Sequence, residues 1–555
     1  MIFKKIGQIT GIERETTDTG AAGVLNYAAD ILLYIAVSFY LLLTGVLLPL
    51  YLPGYSRLGS EKGLFWIKSI DYTVKVLIVA ICFYLFSFIV RLFTDKKTPR
   101  SVKNLFPRGL RIYPSDIWAG LFCVSVFISY LISCDRQIAL FGEKGWYLGL
   151  CSYFALGIGA MVTARLGKAR NLFVITLTVT SFVVCLIGIV MDCFGDVFHI
   201  EGWSDSRIST VGNINWFCGY LITVIFIAVA YFYLKKTADT SKDVWICAAL
   251  LIYMIAAFYM LISQGSASAY PATCAAILAL LVLAGKETVP LFKVSVILTI
   301  IAFSNLVHAM FIAAGGYLRG NDIVSVTLAK VPVALALFAV FLMLSVCLNM
   351  KIKKGREEIH ISVGKIFACI SAVLCVLYFV FLIINTRSTS HFLGEGMFYF
   401  NSEWGSARGA TMSIGFDLFS GMTPLEKLFG KGPDNFYTFL TSGRFPVTAM
   451  FSDDYFGGAR LTNAHCEPLT MLINTGIAGT VTFYGLLLYV MIRGFRKCAG
   501  YDGMRKITAL ACSLSILAYI INNIFSFQTA VNVSQLALAV AFGAWSVIPG
   551  KAENG

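Results

Sequence analysis

The residues best suited to chemistry in this sequence lie in three short polar motifs between apolar runs. They are His465-Cys-Glu467, Arg408 within Ser406-Ala-Arg-Gly409, and Arg207 ahead of Gly212-Asn-Ile-Asn215. Histidine titrates near neutral pH, so it can act as a general base or hold a phosphate oxygen. Arginine is a planar, permanently charged donor suited to bidentate phosphate contact. These residue types predict chemistry at a phosphate or diphosphate, with ordinary solvated loop residues as the alternative for each.

His465 precedes a predicted helix start. Pro468 is a natural first helical residue, because its missing N–H would be unpaired there in any case. The N-terminus of a helix favours an anion through its free N–H groups and its dipole. We therefore expect His465 to lie at an anion-binding helix end, with Glu467 placed to orient it.

Residues 386–465 form a long loop in which no run is apolar enough to cross a bilayer. Loops of this length are uncommon and usually functional. The pattern Thr423-Pro-Leu-Glu426 predicts a capped short helix ended by Gly430. An earlier helix is predicted at about 403–420, and Asp434 is expected to cap a segment at 436–440. The loop should therefore be folded and partly helical.

Composition places this loop on a membrane protein. The chain has 555 residues, of which 58% are hydrophobic and 13% charged, with a net charge of +14. A soluble protein of this length would carry nearly twice that charged fraction. The basic residues occur in short clusters between apolar runs, which indicates membrane orientation rather than binding to nucleic acid.

Fourteen apolar runs are long enough to be transmembrane helices, at about 31–52, 72–90, 116–134, 146–163, 171–191, 214–234, 244–263, 269–285, 292–314, 324–350, 362–385, 467–492, 507–522 and 529–548. If each crosses once, five basic loops fall on one side, which is then cytoplasmic, as are both termini. We predict an all-α, multi-pass protein of the cell (plasma or inner) membrane. Its parts are a membrane domain at 1–385 with about eleven helices, an extracytoplasmic loop at 386–465, and a membrane domain at 466–555 with about three helices.

Lys330 is a further candidate, because the sequence predicts it about two turns inside a transmembrane helix, just before Pro332. An intramembrane charge is a functional hypothesis by default. The alternative is a lysine whose ammonium reaches the membrane surface. No cluster of Asp, Glu and His has the spacing of a metal site, so we expect neither a metal nor a cofactor.

In their order, the three polar motifs resemble those of the bacterial O-antigen ligase and O-antigen polymerase superfamily. Arg207 followed by Asn213 and Asn215 is similar to its Arg and Gly-Asn-x-Asn helix start. Arg408 with Gly430-Lys-Gly-Pro-Asp-Asn-Phe436 is similar to its long-loop signature, and His465 with Gly476-Ile-Ala-Gly479 resembles its histidine signature. The likeness covers roughly 141–491.

This resemblance implies a metal-independent, inverting glycosyltransferase of the GT-C kind. Its donor would be a glycan linked to undecaprenyl diphosphate, which is held in the membrane lipid. Its acceptor would be a hydroxyl of another glycan or of a glycolipid. Arg207 and Arg408 would stabilise the departing diphosphate, and His465 would activate the acceptor or bind a phosphate oxygen. Substrate-binding roles would fall to Lys431, Asn435, Glu467, Asn213, Asn215 and Lys330.

The chain also departs from the family pattern. Gly265-Ser-Ala-Ser268 stands where the family often has Ser-Arg-Gly, Met412 replaces a common Trp, and Cys466 replaces an Asn. These differences leave ligase and polymerase equally open. A flippase for lipid-linked oligosaccharide is the alternative from a different class, although it would be expected to have internal repeats and short loops. A cell-wall glycan polymerase using Asp453 or Asp454 as base is a nearer rival.

Overall fold

The computed structural model describes residues 20–54, 57–94, 112–166, 170–195, 197–200, 208–235, 240–320, 322–394, 396–442 and 460–548. These residues are largely helical, and no β-strand occurs among them. Long apolar stretches form helices because a helix satisfies its backbone hydrogen bonds internally, which a bilayer requires. The all-α, multi-pass membrane class predicted from the sequence is confirmed.

Within the described ranges, twelve helices are long and apolar enough to cross a membrane. They are α1 (Ala21–Leu50), α2 (Leu58–Thr94), α3 (Pro114–Leu131), α6 (Arg170–Phe194), α7 (Ile214–Leu234), α8 (Ser241–Ser263), α10 (Thr288–Ala313), α12 (Val331–Lys353), α13 (Val363–Arg387), α17 (Glu467–Lys497), α18 (Gly503–Asn523) and α19 (Ala530–Val547). Two of the fourteen predicted runs form shorter apolar helices, α5 (Leu150–Leu166) and α9 (Ala269–Ala284). Five further helices are short or lie in the long loop: α4 (Arg136–Phe141), α11 (Ile323–Leu328), α14 (Trp404–Ser420), α15 (Pro424–Phe429) and α16 (Phe436–Leu440).

The spanning helices differ strongly in burial. In α19, 94% of the most apolar window is buried, whereas in α13 the share is 6%. A helix that is apolar all round and buried belongs to the centre of a bundle. Accordingly α19 and α7 form the core, and α13 lies at the periphery, where its apolar side chains face outward.

The long loop folds onto the start of α17. Helices α14, α15 and α16 form where the sequence predicts them, and Gly421 ends α14. The Thr423 capping box is present: its N–H donates to Glu426 at 2.8 Å. Buried side chains of the loop and of α17 share one apolar cluster, which includes Leu418, Phe436, Phe439, Ala464, Leu469 and Ile473. The part of the loop at 443–459 lies outside the described residues, as do Asp453 and Asp454.

The prediction for Lys330 was wrong in its position. The expected single helix is broken here, with α11 ending at Leu328 and α12 beginning at Val331. Lys330 is the extended N-cap of α12 and is exposed. Pro332 explains the break, because proline lacks an N–H and its ring clashes with the preceding turn of a continuous helix.

The loops meet in two groups at opposite ends of the bundle. At one end, called the site end below, Cys134 N donates to Lys431 O at 2.9 Å and Ser266 Oγ donates to Asn215 Oδ1 at 2.7 Å. At the other, Thr288 N donates to Glu357 O at 2.8 Å. Each group therefore joins loops that are distant in sequence.

Candidate functional site

His465 lies at the site end, two residues before α17. Its backbone has a positive φ of 49°, and its N–H donates to Asn463 Oδ1 at 3.0 Å. A positive φ is uncommon for a residue with a side chain and marks a constrained position. Its ring packs edge-on against Phe527, with 4.9 Å between ring centroids. The sequence placed His465 ahead of a helix start, and α17 does begin at Glu467, with Pro468 in its first turn.

Arg408 reaches the same place from the long loop. A left-handed turn at 405–407 precedes it, so the regular part of α14 begins at Arg408. Its Nε donates to Phe525 O at 2.7 Å, and its Nη1 donates to Gly405 O at 2.6 Å. Phe525 belongs to the short connection between α18 and α19, which we call the 525–528 loop. Arg408 thus holds one end of the loop that carries Phe527.

Glu467 holds the other end of the 525–528 loop. Its Oε2 accepts a hydrogen bond of 2.9 Å from Gln528 N, and its side chain is buried. The expected direct contact between Glu467 and the His465 ring is therefore replaced by an indirect one. Two predicted site residues, Arg408 and Glu467, fix the loop, and Phe527 of that loop contacts His465.

The environment of His465 makes its ring neutral at physiological pH. Burial, together with the nearby positive charge of Arg408, lowers the pKa of His465 to about 4. Its Nδ1 is buried, and no hydrogen-bond partner for it occurs among the described residues. A buried polar atom without a partner is rare in native structures and usually indicates an absent water or ligand. A neutral imidazole beside a guanidinium can accept a proton while the arginine holds an anion.

Several polar atoms in the helices packed around the 525–528 loop also lack partners within the described chain. Tyr153 Oη donates to Gln528 Oε1 at 3.1 Å, which extends the network into α5. The hydroxyl of Tyr484 and the Oδ1 of Asn474 are buried and have no hydrogen-bond partner among the described residues. This polar interior can hold water or a polar part of a substrate, since such groups are otherwise costly to bury.

The Gly-Lys-Gly motif of the long loop crosses α17 at a break. Gly476 has φ 67° and interrupts the helix. The carbonyls freed nearby accept from the loop, with Lys431 N to Ile473 O and Gly432 N to Asn474 O both at 2.9 Å. A Cβ on Gly430 would lie 2.3 Å from Asn474 O, so only glycine permits the crossing.

Lys431 and Asn435, predicted to bind substrate, make contacts within the loop and with its neighbours. Lys431 Nζ donates to Glu426 Oε1 at 2.5 Å and lies 4.6 Å from the centroid of the Phe439 ring. Asn435 Nδ2 donates to Asp135 O at 3.1 Å. Asn435 Oδ1 is buried and has no partner in the described part of the chain.

Asp434 has a different role from the predicted helix cap. Asn435 is the N-cap residue of α16, while Asp434 Oδ2 accepts from Glu143 N at 2.7 Å and from Leu148 N at 3.1 Å. Both donors belong to the turn between α4 and α5, called the 143–148 turn below. Burial raises the pKa of Asp434 to about 7. The carboxylate therefore clamps a turn that is distant in sequence, a pairing that no local pattern indicates.

Of the remaining predicted site residues, Asn213 and Asn215 lie farther along the site end. Asn213 is the N-cap of α7, and its Oδ1 accepts from Asn215 N at 2.8 Å and Trp216 N at 3.4 Å, so the motif does start a helix. Asn215 Oδ1 accepts a hydrogen bond from Ser266 Oγ in the turn at 265–268. Arg207 lies outside the described residues. Within the described part of the chain, Lys330 at the head of α12 makes no contact that joins it to His465 and Arg408.

An apolar cavity of about 270 Å³ lies within the bundle between α1, α2, α5 and α19. Val74 and Ile158 line it and are exposed, so it opens at the lateral surface of the bundle. Phe154 of its wall is adjacent in sequence to Tyr153 of the polar network. The cavity can take a hydrocarbon chain, and α5 connects it to the site.

Sequence reasoning missed the 525–528 loop, the Asp434 clamp, Tyr153 and Lys62. Lys62 is fully buried in α2 and donates to Leu48 O at 2.6 Å and Pro49 O at 3.0 Å. The available signal was polar residues at the ends of apolar runs, such as Gln528 and Lys62, because polar groups in a membrane are expensive to retain.

Comparison with known proteins does not assign the chain to a family. No protein-family model matches the chain, and no curated protein sequence matches it. The functional argument therefore rests on the arrangement of His465, Arg408 and their neighbours.

Proposed function

We propose that this protein is a membrane glycosyltransferase that moves a glycan from undecaprenyl diphosphate to an acceptor hydroxyl. The observation that carries the proposal is the meeting of His465 and Arg408, from separate segments, at the 525–528 loop. A neutral base beside a fixed cation suits a displacement in which a hydroxyl must be activated and a diphosphate must leave. The motif resemblance predicts the same pair.

In the proposed reaction, the acceptor oxygen attacks the anomeric carbon and the carbon–oxygen bond to the diphosphate breaks. The acceptor proton passes to His465, and the electron pair of the broken bond remains on the diphosphate. Arg408 stabilises this charge, helped by Arg207 as the resemblance implies. A bound diphosphate raises the pKa of His465 from its low value, because a nearby negative charge favours the imidazolium. The donor would thus make His465 a stronger base only when it is bound.

The cavity supports a lipid-linked donor. Its lining is almost entirely apolar, as a hydrocarbon chain requires, and it opens to the bilayer beside Val74 and Ile158. Its wall and the polar network share α5 through Phe154 and Tyr153. A polyprenyl chain in the cavity would leave the diphosphate at the polar end of the same helix.

We further propose fourteen membrane crossings, with the site end outside the cytoplasm of the cell. Trp146 precedes α5 and Trp216 follows α6, yet their ring centroids are 5.7 Å apart. The chain therefore enters α5 and leaves α6 at the same end of the bundle. If α6 crosses the membrane, the short α5 must cross it too. The same argument applies to α9 and α10, because a Cβ on Gly265 would lie 2.5 Å from Gly320 N. The basic loops then face the cytoplasm, as the positive-inside rule expects.

The test is a product assay with purified protein in liposomes. A labelled undecaprenyl-diphosphate oligosaccharide is supplied alone and then with added glycan or glycolipid acceptors, with His465→Ala in parallel. A ladder of longer glycans indicates a polymerase, and transfer only to an added acceptor indicates a ligase; both should be lost in the variant. Movement of label across the bilayer without any transfer would overturn the proposal in favour of a flippase.

A further inference from the structure

A row of aromatic rings runs from His465 across the site end. Phe527 packs on His465 at 4.9 Å, Trp146 on Phe527 at 5.3 Å, and Trp216 on Trp146 at 5.7 Å between ring centroids. All three contacts are edge-to-face, an arrangement that the ring quadrupoles favour. The row brings together the 143–148 turn, the head of α7 and the 525–528 loop.

The two indoles of the row lie at the border of the apolar core. Trp146 packs against one buried cluster, which includes Phe122 and Tyr153, and Trp216 packs against another, which includes Phe217 and Tyr220. Trp146 and Trp216 are each half-buried, and neither indole N–H donates to another described residue. Aromatic anchors of the bilayer interface would point outward from the bundle. These rings instead contact each other and the loop that touches His465. The exposed part of each ring and its N–H group are available to a ligand at the site.

The indoles are also firmly positioned. Asp434 clamps both ends of the turn that carries Trp146, through the N–H groups of Glu143 and Leu148. Trp216 N donates a hydrogen bond to Asn213 Oδ1. The Trp216 ring packs closely on Gly59 of α2, where an added Cβ would lie only 3.1 Å from it. Space remains at the tip of the turn, where a Cβ on Gly145 would meet nothing within 4 Å. Rings held in advance bind at a lower entropic cost.

Two exposed polar residues lie close in sequence to the indoles of the row. Lys144, two residues before Trp146, and Asn213, three residues before Trp216, are both exposed. Aromatic faces with amide and ammonium groups at their edges match a pyranose ring, which has an apolar C–H face and hydroxyls around its rim. A hydrocarbon chain could not form hydrogen bonds with the polar groups, and an anion would gain nothing from contact with the aromatic faces.

We propose that Trp146 and Trp216 form a platform that binds the sugar rings of a glycan next to His465. This proposal rests on the proposed function, in which a glycan must lie beside the reacting diphosphate. It adds that the glycan runs from His465 toward the head of α7, and that the platform recognises sugar rather than carrier lipid.

The test measures binding of two probes to the full-length protein in nanodiscs. The probes are an undecaprenyl-diphosphate oligosaccharide and undecaprenyl diphosphate without sugar. Trp146→Ala should weaken binding of the glycan-bearing probe at least about 10-fold and leave binding of the sugar-free probe unchanged. Trp146→Phe, which keeps a ring but removes the N–H, should have a smaller effect. Trp245→Ala is the matched control, because Trp245 is an exposed tryptophan at the other end of the bundle.

The outcomes separate the platform from the proposed function. Equal weakening of both probes in Trp146→Ala, or no weakening of either, would overturn the platform and leave the glycosyltransferase proposal standing. Wild-type protein that binds neither probe would overturn the glycosyltransferase proposal, and the platform would fall with it. A loss confined to the glycan-bearing probe, with an unchanged melting temperature, supports the platform.

Discussion

At the scale of single residues, the pKa values of His465 and Asp434 are shifted in opposite senses by burial. The pKa of His465 falls to about 4, aided by Arg408, and that of Asp434 rises to about 7. The sequence indicated both residues, but not these environments. His465 was placed correctly by the local signal of Pro468. The clamp made by Asp434 depends on Glu143 and Leu148, whose approach only the folded chain determines.

These shifts predict opposite pH dependences of stability. Between about pH 6.5 and 4 the unfolded chain binds a proton at His465 that the folded protein does not, so stability falls as pH falls. Between about pH 3.8 and 7 the folded protein holds a proton on Asp434 that the unfolded chain releases, so stability falls as pH rises. The melting temperature of wild type minus His465→Gln should therefore increase with pH, and that of wild type minus Asp434→Asn should decrease. If the two melting-temperature differences changed with pH in the same direction, the opposite pKa shifts of His465 and Asp434 would be refuted.

The clamp itself predicts a contrast between two substitutions. Asp434→Ala removes the acceptor of two buried N–H groups, and each unpaired group costs about 1–3 kcal/mol. Asp434→Asn keeps one oxygen for the same bonds, so it should change the free energy of unfolding much less. Chemical unfolding in detergent measures both. Equal losses would show that the charge matters and the bonds do not.

At the scale of elements, the local patterns were sufficient for the short helices and insufficient for how they pack. The capping box at Thr423, the ends at Gly421 and Gly430, and the helix start after Asn213 all follow from sequence rules. The crossing of Gly430 with the broken α17 does not, because it joins two segments through backbone hydrogen bonds. The single transmembrane helix predicted through Lys330 was wrong for a local reason, because Pro332 interrupts the helix there.

The crossing predicts that Gly476 is irreplaceable. In Gly476→Ala the new Cβ would lie 2.4 Å from the backbone of Leu428, in addition to the strain of a positive φ. Gly503→Ala is the matched control, because Gly503 also has a positive φ but open space around it. The control should cost about 1–2 kcal/mol of stability from backbone strain alone. Gly476→Ala should cost clearly more, as measured by unfolding in detergent; similar losses would argue against a close crossing.

At the scale of the whole molecule, hydropathy predicted the class and nearly all of the spans. It could not decide whether α5 and α9 cross, because both are shorter than a typical transmembrane helix of about 20 residues. The proposal that both cross rests on the contacts between Trp146 and Trp216 and between Gly265 and Gly320. The arrangement of the site depends on whether α5 crosses, because the head of α7 must lie on the same side of the membrane as His465.

Fourteen crossings predict the accessibility of two loops. An epitope tag inserted at Gly195 should be reached by antibody in intact cells, whereas a tag at Gly355 should require permeabilised cells. Both glycines have open space around them, so a tag there should be tolerated. If α5 does not cross, the Gly195 tag would instead be protected.

The central claim is that His465 and Arg408 act as one catalytic unit, and a double-variant cycle tests it most directly. Glycan transfer from the lipid diphosphate is measured for wild type, His465→Gln, Arg408→Gln and the double variant. Each single change should lower the rate by about 10²-fold or more, as the loss of a general base or of a charge-stabilising contact does. The double variant should lose little beyond the worse single one, because residues that work as a unit are not additive. Full multiplication of the two losses, or a wild-type rate in either single variant, would contradict the account.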